Sequence, residues 1–342
     1  MAAFIVVLIA AGCSDDSDAG SRDSAADEDS SVAPDGSPDA DGSTDAEDTA
    51  VRLRDVVFGE VDEQAGVVFG EGVRSSGVNQ SLAMDVFRPR DDPSTDRPVL
   101  ILAFAGGFIE GSRSDPELRA IAMNFAQRGY VTASIDYRLF ENRPADEDEA
   151  FVGVLQSVHD MRAAIRFFRE DGMGANEFGV DPDRILVGGV SAGAVMAAIT
   201  GALDEGDAVT PAVQAFLDAN GGIPGNSRGN VTVSSAAQGV LSISGAVLDV
   251  SWIEADTAPI YAAHEEFDSV VPCSTGSTTE LGPSVTISGA CAMIPAAEAA
   301  GVANQFFFVE GATTHVEFSE DDLFRIVDEA AAFFFGEVLQ VR

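Results

Sequence analysis

Arg184 to Thr200 reads RILVGGVSAGAVMAAIT. Ile185–Val187 is a short apolar run, Gly188-Gly189 is a turn signal, and the residues after Ser191 are small and compatible with a helix. Inside lies Gly189-Val190-Ser191-Ala192-Gly193, a G-x-S-x-G. A serine held on a sharp strand-to-helix turn exposes its hydroxyl. The residues around it must be small, because strand, helix and neighbouring backbone converge there. The helix that follows turns its N-terminus toward any negative charge that develops nearby. Alone, the pentapeptide fits many glycine-rich turns. The strand before it and the helix after it give it weight.

Composition narrows the classes. The 342 residues are 46% hydrophobic, enough for one large core. Net charge is -38, and all 19 basic residues are arginine. Such a surface repels nucleic acid and anionic lipid headgroups. Residues 13–50 carry 13 acidic side chains and one arginine, with almost nothing apolar. That stretch cannot bury enough surface to offset its ordering entropy and reads as an acidic tether. Met1–Gly12 is apolar and too short to span a bilayer, as in a signal peptide. It ends in Ala10-Ala11-Gly12-Cys13, which resembles a bacterial lipoprotein cleavage box with Cys13 as the lipidated residue. Position 10 is alanine where leucine is usual, and no basic residue precedes the apolar run. The expected location is the cell envelope, lipid-anchored or otherwise secreted. Export would place Cys273 and Cys291 in an oxidising compartment, where a disulfide between them is expected.

From residue 51 to 342 strands alternate with helices. Gly66–Val73, Ser81–Phe87, Pro98–Ala105, Tyr130–Tyr137, Ile185–Val187, Val240–Val247, Pro259–Ala263 and Asn304–Val309 read as strands. Asp115–Arg128, Glu149–Glu170 and Asp321–Leu339 read as helices. This is an α/β pattern with a mostly parallel, doubly wound sheet of about eight strands, whose ligands bind beyond the carboxyl ends of the strands. Residues 203–235 look like an insertion. A short helix at Thr210–Asn220 would make it a small cap over Ser191, or a mere surface connection.

A serine on such a turn needs a base, an acid and a source of oxyanion donors. The chain has three histidines. His159 lies within the long helix and reads as a packing residue. His264 ends a strand. His315 follows the loop Glu310-Gly311-Ala312-Thr313-Thr314 and is the candidate base. Asp268 is the candidate acid, with Glu265, Glu266 and Asp249 as rivals. The few histidines and scattered carboxylates form no cluster at zinc spacing, so no metal or other cofactor is expected.

Taken in order, these pieces resemble the esterase/lipase branch of the α/β-hydrolase superfamily, over roughly residues 55–342. The resemblance rests on Phe104-Ala105-Gly106-Gly107-Phe108 with Gly111-Ser112, on Asp136-Tyr137-Arg138-Leu139, and on Asp181-Pro182-Asp183-Arg184-Ile185. Gly189–Gly193, Asp268 with Val271-Pro272, and Gly311–His315 complete it. It implies a carboxylic ester hydrolase with Ser191 as nucleophile, His315 as base and Asp268 as acid. It also implies an oxyanion hole from the N–H groups of Gly106, Gly107 and Ala192. The family's upstream loop usually reads H-G-G-G-F, so the histidine and first glycine are replaced here. A peptidase or amidase of the same fold, and a catalytically silent binding module, are the alternatives.

Overall fold

The computed structural model describes residues 51–228, 232–279 and 281–339. The expected signal peptide, Cys13 and the 13–50 tether lie outside them. The chain enters through an antiparallel pair, β1 (Val61–Val73) and β2 (Asn79–Pro89). β1 begins before the residue expected because Gly66, at φ 71°, marks an irregularity inside the strand rather than its start. β3 (Arg97–Ala103) is buried along its whole length, as a strand covered on both faces must be. After it come α1 (Pro116–Gln127), β4 (Val131–Ile135) and the long α2 (Glu147–Met173). Asp115 caps α1, its carboxylate accepting from the Glu117 and Leu118 amides.

β5 (Val180–Val190) is longer than the apolar run Ile185–Val187 at both ends: Asp181-Pro182-Asp183 is an irregularity within the strand, and Gly188-Gly189, expected to turn, pair with both neighbouring strands and carry it to Val190. Then follow α3 (Ala192–Ala202), α4 (Pro211–Ala219) and β6 (Val240–Ile243). Val240–Val247 is not the single strand expected. At Ser244, with φ 51°, the chain turns out of the sheet, and β7 (Ala246–Val247) pairs elsewhere. β8 (Ile260–Glu265) returns to the main sheet. The stretch after Cys273 carries β9 (Thr275–Thr278), β10 (Val285–Gly289) and α5 (Ala290–Ala300), and β11 (Asn304–Val309) and α6 (Glu320–Phe333) follow. The expected closing helix to Leu339 changes at Phe334 into a π-helical turn.

The main sheet has eight strands in the order β1-β2-β4-β3-β5-β6-β8-β11, parallel from β4 onward. β7, β10 and β9 form a separate antiparallel sheet. Register aligns the functional ends. Ala103 pairs with Gly189, Val190 with Ile243, Ile243 with Ala263, and Glu265 with Val309. The loops that leave β3, β5, β8 and β11 therefore emerge at one edge. Cys273 and Cys291 are disulfide-bonded, tying the loop after β8 to the first turn of α5.

α2 also explains how an arginine-only protein uses its cations. Arg162 donates to the Thr200 and Leu203 carbonyls (3.1 and 2.7 Å), Arg166 to Pro224 (2.6 Å), and Arg169 to Ala236 (3.0 Å). Thr200 lies in the last turn of α3, whose carbonyls lack donors within the helix, and Leu203, Pro224 and Ala236 belong to irregular backbone. A planar guanidinium fork can serve several at once. Leu203 and the turn at Pro224 are thereby strapped to α2. α4 joins it through Val213 and Leu217, both buried, and through Phe216 stacked on His159 (5.4 Å).

His159 is buried, with no well-placed hydrogen-bond partner for either ring nitrogen. Burial, reinforced by Arg138 and Arg162, pushes its pKa down to about 3. The unfolded ring takes its proton near the ordinary value of about 6.5. Below that pH the unfolded state binds more protons than the folded one, so stability is full above it and lost as pH falls toward 3. Urea unfolding should show a loss of about 2 kcal/mol from this group between pH 7 and pH 5. His159→Phe should flatten the dependence in that window.

Candidate active site

The elbow is built by exclusion. A side chain at Gly189 would run into the Gly193 backbone, and one at Gly193 into the Ala103 carbonyl. With both positions bare, α3 crosses the ends of β3 and β5 at backbone contact. Ser191 is left at φ 51°, ψ -115°, a sparsely populated conformation for an L-residue. Its amide donates to the Ile243 carbonyl (2.9 Å), which anchors the turn to β6. Ser191 stands at the N-cap of α3, yet its hydroxyl makes no capping bond. It faces His315 Nε2 instead, at 2.7 Å.

His315 Nδ1 lies 2.6 Å from Asp268 Oδ2. A carboxylate only accepts, so the proton resides on Nδ1 and the Nε2 lone pair meets the serine hydroxyl. Three expected residues, from loops after three different strands, thus form one hydrogen-bonded chain. Asp268 is almost fully buried, and its Oδ1 accepts the Val270 and Val271 amides (2.8 and 2.9 Å). Burial alone would raise this carboxyl. Hydrogen bonds from His264 and His315 outweigh it and hold the group below the ordinary carboxylate range.

The rival carboxylates have other partners. Asp249 caps a short 3₁₀ turn through the Ser251 amide. Glu266 accepts the Gly311 amide (2.7 Å) in the His315 loop. Glu265 accepts from Ser244 Oγ (2.7 Å) and the Glu317 amide (3.0 Å). His264 is fully buried inside β8 rather than at its end. Its Nε2 donates to the Val271 carbonyl (2.9 Å) and lies 3.4 Å from Asp268 Oδ2, holding the acid's loop. In the sequence His264 reads only as the residue that ends a strand. Its spacing of four from Asp268 was the available signal.

The loop after β3 is shaped by positive φ at Gly106 (122°), Gly107 (58°) and Phe108 (61°). The Gly106 carbonyl accepts the Ile109 and Glu110 amides, and the Phe108 carbonyl accepts that of Phe140. Tyr137 pins the loop twice. Its hydroxyl donates to the Phe104 carbonyl (2.9 Å) and its ring stacks on Phe104 at 4.2 Å. Gly111 leaves room for the Phe104 ring, where any side chain would collide. Phe104, which stands where the family pattern has histidine, is thus a buried anchor. Among the described residues no group of three or more His, Cys, Asp or Glu could hold a metal ion.

A cavity of about 280 Å³ lies between α2 and the 203–235 segment, walled by Phe151, Leu155, Val209, Val213, Leu248 and Trp252. The strain at Ser191 also has a measurable side. Ser191→Gly should be more stable than Ser191→Ala by about 1–3 kcal/mol in equilibrium unfolding, since glycine accepts this backbone without cost.

The chain matches the BD-FAE family model over residues 84–222, a span that holds the glycine loop and Ser191 but stops before Asp268 and His315. Over 131 residues it is 34% identical to fumonisin B1 esterase of Sphingopyxis macrogoltabida, covering 36% of this chain and 23% of that one. Over 125 residues it is 30% identical to esterase LipC of Mycobacterium tuberculosis, covering 36% and 28%. The chain thus spans about a quarter of the length of these curated relatives. Among solved structures, native esterase 2 of Thermogutta terrifontis superposes with a TM-score of 0.56 at 23% identity, covering 81% of this chain and 91% of that one. The same esterase phosphorylated by paraoxon gives 0.56 at 22% identity, covering 81% and 94%. Strand order, serine elbow and these likenesses agree, and the chain is an α/β-hydrolase by fold.

Proposed function

We propose that this protein is a serine esterase that cleaves carboxylic esters through an acyl-enzyme. The observation that carries the reading is the unbroken chain from Asp268 through His315 to Ser191, at 2.6 and 2.7 Å. Ser191 Oγ attacks the ester carbonyl and its proton passes to His315 Nε2. Asp268 holds the ring in the required tautomer and stabilises the imidazolium. The alcohol leaves with the proton from Nε2. Water, deprotonated at the same nitrogen, then releases the acid and restores the serine.

The N–H groups of Gly106, Gly107 and Ala192 are the proposed oxyanion donors. Ala192 opens α3, so its amide has no acceptor within the helix. Two adjacent glycines at positive φ allow backbone amides to turn inward without Cβ interference. The relatives named as esterases support the ester class. Export with lipidation of Cys13 is proposed from the leader sequence, and the Cys273–Cys291 bond agrees with an oxidising compartment.

Fluorophosphonate labelling followed by peptide mapping tests the mechanism. The adduct is expected on Ser191 and should vanish in Ser191→Ala; a folded protein that takes no label would overturn the reading. Asp268→Asn should keep the fold and lower kcat toward p-nitrophenyl acetate by about 10⁴, the loss expected when the base is left in the wrong tautomer. A larger loss from Asp249→Asn would move the acid elsewhere.

A further inference from the structure

Glu265 closes β8 with a carboxylate that is 1% exposed. A buried anion is costly unless it is paired. Among the described ion pairs none includes Glu265. Its two oxygens instead meet two donors from different parts of the chain. Oε2 accepts from Ser244 Oγ at 2.7 Å, and Oε1 accepts the backbone amide of Glu317 at 3.0 Å. Ser244 is itself fully buried, at the point where the chain leaves β6. Its amide donates to the Ala263 carbonyl (2.8 Å), which fixes it against β8. The carboxylate therefore bridges a rigid corner of the sheet to the loop that carries the base.

That loop needs a hold on its far side. Before His315 it is fixed by Gly311 on Glu266 and by the Ala312 carbonyl, which accepts the Phe267 amide. After His315 comes Val316 at φ 60°, an uncommon conformation for a β-branched residue, and then the Glu317 amide. Strain of this kind persists only where the surroundings enforce it. The imidazole's own bonds cannot do this: the one to Ser191 is remade during proton transfer, and the one to Asp268 holds the ring, not the backbone after it. A tether on the backbone two residues later can.

We propose that Glu265 is a positioning residue for the base: it clamps the backbone after His315 to the Ser244 corner and so keeps Nε2 on Ser191. The inference rests on the esterase reading above. Glu265 does not touch the reacting atoms, so its removal should act on turnover and leave substrate affinity alone. Glutamine has the same shape. Its oxygen would still accept the Glu317 amide, and its NH₂ would face Ser244 Oγ, which can turn to accept. Alanine keeps neither contact.

The test is steady-state hydrolysis of p-nitrophenyl acetate by the purified protein and its variants, with thermal unfolding as a check of fold. Glu265→Ala should lower kcat by about a hundredfold, the loss typical of a misplaced catalytic group, with KM changed by less than about threefold. Glu265→Gln should recover most of kcat with an unchanged pH profile. If the alanine variant does not fold, Glu265→Leu fills the space without an acceptor and should show the same loss. A folded Ala or Leu variant with wild-type kcat overturns the proposal. So does a loss confined to KM, or a Gln variant as impaired as Ala. Failure of the wild type to turn over any ester overturns the esterase reading itself, and the clamp with it.

Discussion

The crossing of α3 over the ends of β3 and β5 is the contact on which the site depends. It is a contact of backbone on backbone, possible only because Gly189 and Gly193 carry no side chain. It fixes where α3 begins and forces Ser191 into its unusual φ and ψ. The Ala192 amide is thereby left at the helix start. Because Ala103 takes part, the glycine loop that begins at Phe104 is tied to the same point. One steric condition therefore places the nucleophile, the helix N-terminus and the root of the neighbouring loop together.

Acid and base have no such backbone closure, since both ride on loops, the parts of a fold with the fewest internal restraints. The chain compensates with polar anchors beneath them. His264 holds the Val271 carbonyl, Glu266 holds Gly311, and Glu265 joins Ser244 to Glu317. The disulfide and the small β7-β10-β9 sheet stiffen the outer side of the acid's loop. His264 and Glu265 are buried polar groups with defined partners, as burial requires, and Glu266 acts nearer the surface. Order at the site is thus distributed over residues that do no chemistry.

The elbow was legible in the sequence because its constraints are local: a strand, small residues and a helix within seventeen positions. His315 was legible because histidines are few, and Asp268 because it follows a strand and precedes Val271-Pro272. Non-local features were not. Ser244 looked like an ordinary strand residue, and only the position of β8 and β10 shows why the chain turns there. β9 and β10 were hidden by a Ser/Thr/Gly composition that marks loops. Pro295 inside α5 masked a helix. Glu265 and Glu266 read in the sequence only as rivals for the acid or as surface carboxylates, not as anchors. Their partners, Ser244, Glu317 and Gly311, are distant in the chain.

The backbone of the elbow keeps its shape for reasons that do not involve the serine hydroxyl. The glycines, the Ile243 anchor and the crossing helix would hold residue 191 in place whatever its side chain. Chemistry and architecture are therefore separable in this molecule. A lineage that exchanged the serine for glycine would lose the proposed reaction, relieve local strain and keep the shape of the elbow. Inactivity is thermodynamically downhill from this structure, and only continued selection on the reaction would keep a serine at the turn.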